Sequence, residues 1–376
     1  MRDAATRAEL VKLARILDTD LENVEYLSYL EAERLRVLRE GITEALFEKF
    51  RSSFTGFARL SSLLPLSISA RISERVLGPT LSGRIAGEMP PQKAIDMASK
   101  LSDDFLADTC LQLDPVRARP IIAGFPVDRA VAITRILLAR KEFITMGRFV
   151  DVLPRDTLFA ATDAIVDEAD LLEISFFVEN SEQLDQVIDY LGIERREAVI
   201  QAAAKEDLWP EVIVTLLRIG HASRTALAEL ALSQDASTLD SLIRAAAEND
   251  LWPALLQLAD ELPDDAIARL SEQPAFDEPV VIRSVIDSVV ANDLWDELQR
   301  QLPSMGQARC ARLLQVGASE RAPFLSELDK RLRTEESELA TLRAGAAALD
   351  KSTREKALAA CGDGALAHIL AEAGKP

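Results

Sequence analysis

Apolar residues recur along this chain at helical spacing. Leu10, Leu13, Ala14, Leu17, Leu21 and Val24 form one stripe, and Leu35, Leu38, Ile42, Leu46 and Phe47 form another. Steps of three and four residues keep a stripe on one face of a helix, so one or two long amphipathic helices are predicted over 7–54. Shorter helices are predicted over 92–101, 103–113, 127–141, 145–152 and 156–168. They are punctuated by Asp114-Pro115, Phe125-Pro126 and Leu153-Pro154, because the residue before a proline is pushed out of helical conformation.

Between residues 200 and 302 the pattern repeats. Trp209, Trp252 and Trp295 are 43 residues apart, within Lys205-Glu-Asp-Leu-Trp-Pro210, Glu248-Asn-Asp-Leu-Trp-Pro253 and Ala291-Asn-Asp-Leu-Trp-Asp296. Nine residues before each stand Ile200, Ile243 and Ile286, and five before stand Ala204, Ala247 and Val290. The columns nine, five and one before the tryptophan are spaced to share a helix face. The Asp of each phrase is expected to cap the next helix with its carboxylate, placing Pro210, Pro253 and Asp296 in the first turn. With further helices predicted over 223–232 and 237–248, each repeat reads as about three helices. Trp209, Trp252, Trp295, Ile200, Ile243 and Ile286 are read as repeat-packing residues. Such a period resembles repeats of the HEAT and armadillo type, which implies an α-solenoid.

Upstream the recurrence weakens, with Asp170-Leu-Leu172 and Glu142-Phe-Ile144 in similar places. There Leu113-Asp-Pro-Val-Arg-Ala118, Phe125-Pro-Val-Asp-Arg-Ala130 and Leu153-Pro-Arg-Asp-Thr-Leu158 stand at the joints between short helices. Over residues 90–170 these phrases resemble the cytoplasmic N-terminal superhelical domain of bacterial magnesium channels. The resemblance implies a superhelical fold and a link to cation sensing; that family's regulatory modules and membrane helices have no counterpart here.

The ends differ from the middle. Between Lys49 and Arg84 lie Lys49, Arg51, Arg59, Arg71, Arg75 and Arg84 against Glu74 alone, a balance of +5. They are interleaved with Phe54, Phe57, Leu60, Leu63, Leu64, Leu66, Ile68, Ile72 and Val76, broken by Pro65 and closed by Gly78-Pro79. Basic and apolar residues together suit an anionic membrane surface or an acidic partner; the competing reading is a helix pair whose arginines pair with acids of neighbouring repeats. At the other end, 321–346 reads as one long charged helix, and Gly362-Asp-Gly364 precedes a final helix over 365–373. A terminal cap of this sort covers the apolar face of a last repeat.

Composition and charge narrow the function. The formal net charge is -19, and residues 151–300 hold 32 acids against 10 bases. That argues against nucleic acid, which calls for a basic face. The acidic stretch reads as a solvated surface, or else as a dock for a basic partner or divalent cations. Cys110, Cys310 and Cys361 are far apart and form no CxxC pair, as expected of reduced, buried thiols. His221 and His368 belong to no zinc-ligand spacing. No GxGxxG, GxxxxGK[ST] or GxSxG loop occurs, and Asp103-Asp104 and Asp264-Asp265 read as helix starts rather than acid pairs. No run reaches the ~18 apolar residues of a membrane span, and the first 18 residues lack the apolar core of a secretion signal.

The resulting expectation is an all-α chain: a right-handed α-solenoid of short helices with 43-residue repeats. Its parts are an N-terminal helical region (1–88), a short-helix superhelical region (89–180), the repeats (181–320) and a C-terminal helical cap (321–376). The expected role is a non-catalytic scaffold, without cofactor or metal, holding a protein or peptide partner in the cytoplasm. The alternative is a regulatory module peripheral to the inner membrane face, sensing divalent cations and docked through Lys49, Arg51, Arg59, Arg71, Arg75 and Arg84.

Overall fold

The computed structural model describes residues 4–332 and 336–374. Among them it forms 24 α-helices and no strand, and the chain divides into two compact units, Arg2–Val199 and Ile200–Pro376.

The N-terminal unit begins with α1 (Ala4–Ile16) and the long α2 (Ala32–Leu63). Next come α3 (Leu66–Ile72), a π-helical turn at Ser73–Leu77, and α4 (Gly78–Ala86). Short helices follow: α5 (Pro91–Ala98), α6 (Asp103–Gln112), α7 (Pro115–Ile122), α8 (Val127–Ala139), α9 (Phe143–Val150), α10 (Arg155–Ala164), α11 (Glu168–Ser175) and α12 (Ser181–Tyr190). α13 (Ile193–Glu206) runs through the division. The short helices start where side chains or prolines settle the first-turn N–H groups. Ser102 accepts from Phe105, Asp114 from Val116, Asp167 from Ala169 and Asn180 from Glu182. Arginines settle some of the far ends: Arg129 donates to the carbonyls of Ala98 and Leu101, and Arg195 to those of Thr162 and Ile165. Each helix packs mainly on the next but one, α4 on α6, α6 on α8, α8 on α10 and α10 on α12. Their shared core includes Phe54, Ala70, Ile85, Met97, Leu106, Ile133 and Met146.

The C-terminal unit holds α14 (Trp209–Arg218), α15 (His221–Leu232), α16 (Ala236–Asn249), α17 (Trp252–Ala259), α18 (Asp264–Ser271) and α19 (Pro279–Asn292). After them come α20 (Trp295–Glu320, kinked at Gly306), α21 (Ala322–Arg331), α22 (Glu336–Ala348), α23 (Lys351–Ala360) and α24 (Ala365–Glu372). Here helices meet partners both two and three places on: α14 meets α16 and α17, α15 meets α18, α16 meets α19, and α17 meets α19 and α20. Each tryptophan opens a helix and is buried, and its nine-before isoleucine is buried with it. Trp209 Nε1 donates to Ser241 Oγ and Trp252 Nε1 to Ser284 Oγ, both at 2.9 Å. Ser241 and Ser284 each stand eleven residues before the following tryptophan, so the same bond ties α14 to α16 and α17 to α19. Asp329 of α21 accepts from the N–H groups of Gly362, Gly364 and Ala367, which fixes the start of α24.

Several expectations need correction. Asp207, Asp250 and Asp293 do not cap the following helices; each takes a left-handed conformation, with φ of 58°, 51° and 57°, and closes the helix before. Short polar side chains tolerate that conformation better than most. The next N–H, of Leu208, Leu251 or Leu294, then bonds back to Ala203, Ala246 or Val289, as in a Schellman turn. Those three acceptors, six before the tryptophan, are wholly buried, whereas the five-before column is half-buried at Ala204 and Ala247 and exposed at Val290. Lys141 makes the same turn before Glu142-Phe143, but Asp170-Leu-Leu172 lies inside α11. The single helix expected over 321–346 is two, separated after Arg331. The N-terminal stripes are only partly buried: Leu17, Leu38 and Leu46 are exposed, and α2 runs on to Leu63.

Candidate functional site

α3, the π turn and α4 place the basic–apolar segment against the core by one side. Leu66 and Leu77 pack on the core cluster, and Ser69, Ala70, Ser73, Ser82 and Ile85 are buried. The opposite side carries Leu64, Ile68, Arg71, Arg75 and Val76, then Leu81 and Arg84, all exposed. Ile68 and Arg71 are three residues apart on α3 and share a face; Leu64 follows the end of α2 and Arg75 lies in the π turn. Val76 is 75% exposed, although water disfavours a bare valine.

All six sequence-predicted bases, Lys49, Arg51, Arg59, Arg71, Arg75 and Arg84, are exposed. Arg51 pairs with Glu48 at 2.9 Å and lies 3.6 Å from Glu88. Among the described residues Arg59, Arg71, Arg75 and Arg84 make no ion pair. Glu74, the segment's one acid, is engaged by Ser102, whose N–H and hydroxyl donate to it at 3.0 and 3.2 Å. The side chains of Phe57, Leu60 and Leu63 lie outside the described residues.

The acidic stretch is arranged differently. Asp260 pairs with Arg300, Glu261 with Arg224 and His221, Asp277 with Arg309, Asp287 with Arg321, and Asp293 with Arg331. These acids are tied to bases 32 to 40 residues away along the chain. Asp103 and Asp104 pair with Arg129 and Arg140, and the side chain of Asp264 lies outside the described residues. Among the described residues no group of three His, Cys, Asp or Glu is placed to hold a metal ion, and no helix is long and apolar enough to cross a membrane. Burial pushes the thiols of Cys110, Cys310 and Cys361 up to about 12, with Asp329 adding to the effect at Cys361, so each is a poor nucleophile.

Sequence reasoning missed a buried charge network in the same unit. Lys12 Nζ donates to Glu9 at 2.9 Å and Glu179 at 2.7 Å, and Arg39 donates to the same two carboxylates at 2.9 and 2.8 Å. Arg36 reaches Glu179 at 3.1 Å. Desolvation pushes the Glu179 carboxyl up, but Lys12, Arg39 and Arg36 outweigh it and hold the group below its ordinary range. Beside it, Asp151 accepts from the N–H groups of Glu179 and Asn180 at 3.0 and 2.8 Å. Burial nonetheless raises Asp151 to about 6. The phrases Leu113-Asp-Pro, Phe125-Pro and Leu153-Pro mark the starts of α7, α8 and α10. Compared with protein-family models, curated proteins and solved structures, the chain matches none.

Proposed function

We propose that this chain is a non-catalytic docking protein that seats the exposed face of α3, the π turn and α4 on an anionic membrane surface. The carrying observation is the set Arg59, Arg71, Arg75 and Arg84, which have no internal acid partner and alternate with exposed Leu64, Ile68, Val76 and Leu81. Within a chain of net charge -19, four unpaired cations beside bare aliphatic side chains match a surface that offers phosphates above and acyl chains below. Each Lys or Arg near an anionic leaflet contributes about 1 kcal/mol.

The test is co-sedimentation with vesicles of pure phosphatidylcholine and of phosphatidylcholine with phosphatidylserine. Replacing Arg59, Arg71 and Arg75 together by Gln is expected to weaken binding to the anionic vesicles roughly a hundredfold. The melting temperature should stay near the wild-type value, since these side chains hold nothing in place. Equal binding by the variant, or no preference of the wild type for anionic vesicles, overturns the proposal, as does binding to an acidic protein in place of lipid.

A second reading, a scaffold for a protein or peptide, draws on the C-terminal unit. The 43-residue recurrence, the contacts between helices three places apart and the repeated Trp–Ser bond support three-helix repeats of an α-solenoid. Such arrays present extended binding surfaces. On this reading the N-terminal unit brings the repeats to the membrane.

A further inference from the structure

The N-terminal unit contains a cavity of about 450 Å³ whose charged lining is Arg15, Arg84, Arg117 and Arg148 against Asp18 and Asp114. A net-positive cavity is out of keeping with an acidic chain. Two of the four guanidiniums are spoken for: Arg15 pairs with Glu142, and Arg117 with Glu44 and Asp114 while lying over the Phe47 ring. Among the described residues Arg84 and Arg148 have no ion pair and no hydrogen bond.

Arg148 is the unusual one. It sits in α9, whose sequence is otherwise apolar save for Thr145, and also lines a second, adjoining polar cavity of about 530 Å³. Desolvation lowers its pKa, and Arg39 and Arg15 lower it further against the pull of Asp114 and Glu179. Arg148 is half-buried and, among the described residues, makes no ion pair or hydrogen bond of its own, so its charge is partly withdrawn from water without a direct partner. Close helix approaches precede both arginines. A Cβ at Gly147 would lie 2.7 Å from Phe177 Cβ, and one at Gly83 would lie 3.1 Å from the Thr109 carbonyl oxygen. Each glycine thus lets its helix press close, and the residue after it, Arg84 or Arg148, lines the cavity.

We propose that this cavity binds a small soluble phosphate ester, its phosphate held between Arg148 and Arg84 and its organic part against Ile16, Phe47 and Leu113. Guanidinium forks match phosphate oxygens two at a time. The volume suits a ligand larger than bare phosphate, and the wall of Ile16, Leu46, Phe47, Leu111 and Leu113 gives the remainder an apolar seat. This site is separate from the docking face except for Arg84, so Arg148 is the residue to change.

The experiment titrates pyrophosphate and phenyl phosphate into the full chain by calorimetry at constant ionic strength. Wild type, Arg148→Met and Arg148→Gln are compared, each checked for helicity and melting temperature. Saturable binding to the wild type, weakened about ten- to a hundredfold in both variants, is expected, since a lost charged hydrogen-bond partner has that effect. Without ligand, Arg148→Met should melt at or above the wild-type temperature, because an unpaired half-buried charge is gone; a structural arginine would give the opposite. No saturable binding up to about 10 mM, the weak end of the affinity scale, overturns the proposal. So does equal affinity in the variants, or phosphate recognised only on phosphatidic acid vesicles. Vesicle docking should survive Arg148→Met, so the two proposals fail separately.

Discussion

Lys12 is 1% exposed on α1, between Glu9 and Glu179. Removing one partner of a buried ion network strands the others, at a cost of about 3–5 kcal/mol. Lys12→Met is therefore expected to lower unfolding free energy by that amount in urea titrations, despite filling the same space; a loss under 1 kcal/mol would show that water already reaches the carboxylates. Asp151 gives a pH-dependent counterpart. Its folded-state pKa is raised from the ordinary 3.8 to about 6, so the folded chain binds the proton more tightly than the unfolded one. The protonated group adds stability below about pH 4, and that contribution is lost as pH rises through 6, amounting to at most about 3 kcal/mol. Asp151→Asn keeps an oxygen for the two N–H donors. It should raise stability at pH 7–8 by about 1–3 kcal/mol and leave pH 4 nearly unchanged, as measured by urea titration at each pH. Neither residue was legible in the sequence, because amphipathic patterning assigns charges to the solvent side and the partner Glu179 is 167 residues from Lys12. Arg148 did leave a trace, a lone base in an apolar octet.

At the scale of elements, the existence and rough span of most helices followed from periodicity and proline, whereas the joints did not. The sequence Asn-Asp-Leu-Trp carries an N-cap residue in the right place, yet the backbone uses the aspartate to end the helix before it. The apolar residue six before the tryptophan, Ala203, Ala246 or Val289, is wholly buried and accepts the Leu N–H in all three places. The two readings give opposite signs for Asp250→Gly. Glycine enters the left-handed region freely, so the substitution should stabilise by about 0.5–1 kcal/mol; loss of a true N-cap would instead cost a few tenths. Chemical denaturation with both Asp250→Gly and Asp207→Gly decides it. The same logic of close approach makes Gly147→Ala costly, by about 1–3 kcal/mol, since its methyl would also lie 2.9 Å from the Phe177 backbone. A melting curve matching wild type would show that α9 has room to shift.

The whole molecule sets a charge problem for the docking proposal. Residues 49–84 carry +5 within a chain of -19, leaving -24 on the remainder. An anionic membrane therefore attracts a small local patch and repels everything else. Which term wins depends on how far each is felt. Docked arginines lie within a few ångströms of the lipid phosphates, while acids of the C-terminal unit are distributed over many helices and several are paired with arginines. At 0.01 M salt the screening length is about 30 Å, and the membrane senses the net negative charge. At 0.15 M it is about 8 Å, so acids not in contact with the membrane surface fade and the patch dominates. At 1 M it is about 3 Å, and the patch is screened too, leaving the aliphatic contacts. Binding to phosphatidylserine vesicles is thus expected to rise and then fall as salt increases, with its maximum near 0.1–0.2 M. A simple basic protein would show a monotonic decline. Replacing Arg59, Arg71 and Arg75 by Gln should remove the maximum and leave weak binding that grows steadily with salt. Co-sedimentation across the salt series reads this directly, and a monotonic decline in the wild type would mean that the acidic remainder does not face the membrane's field.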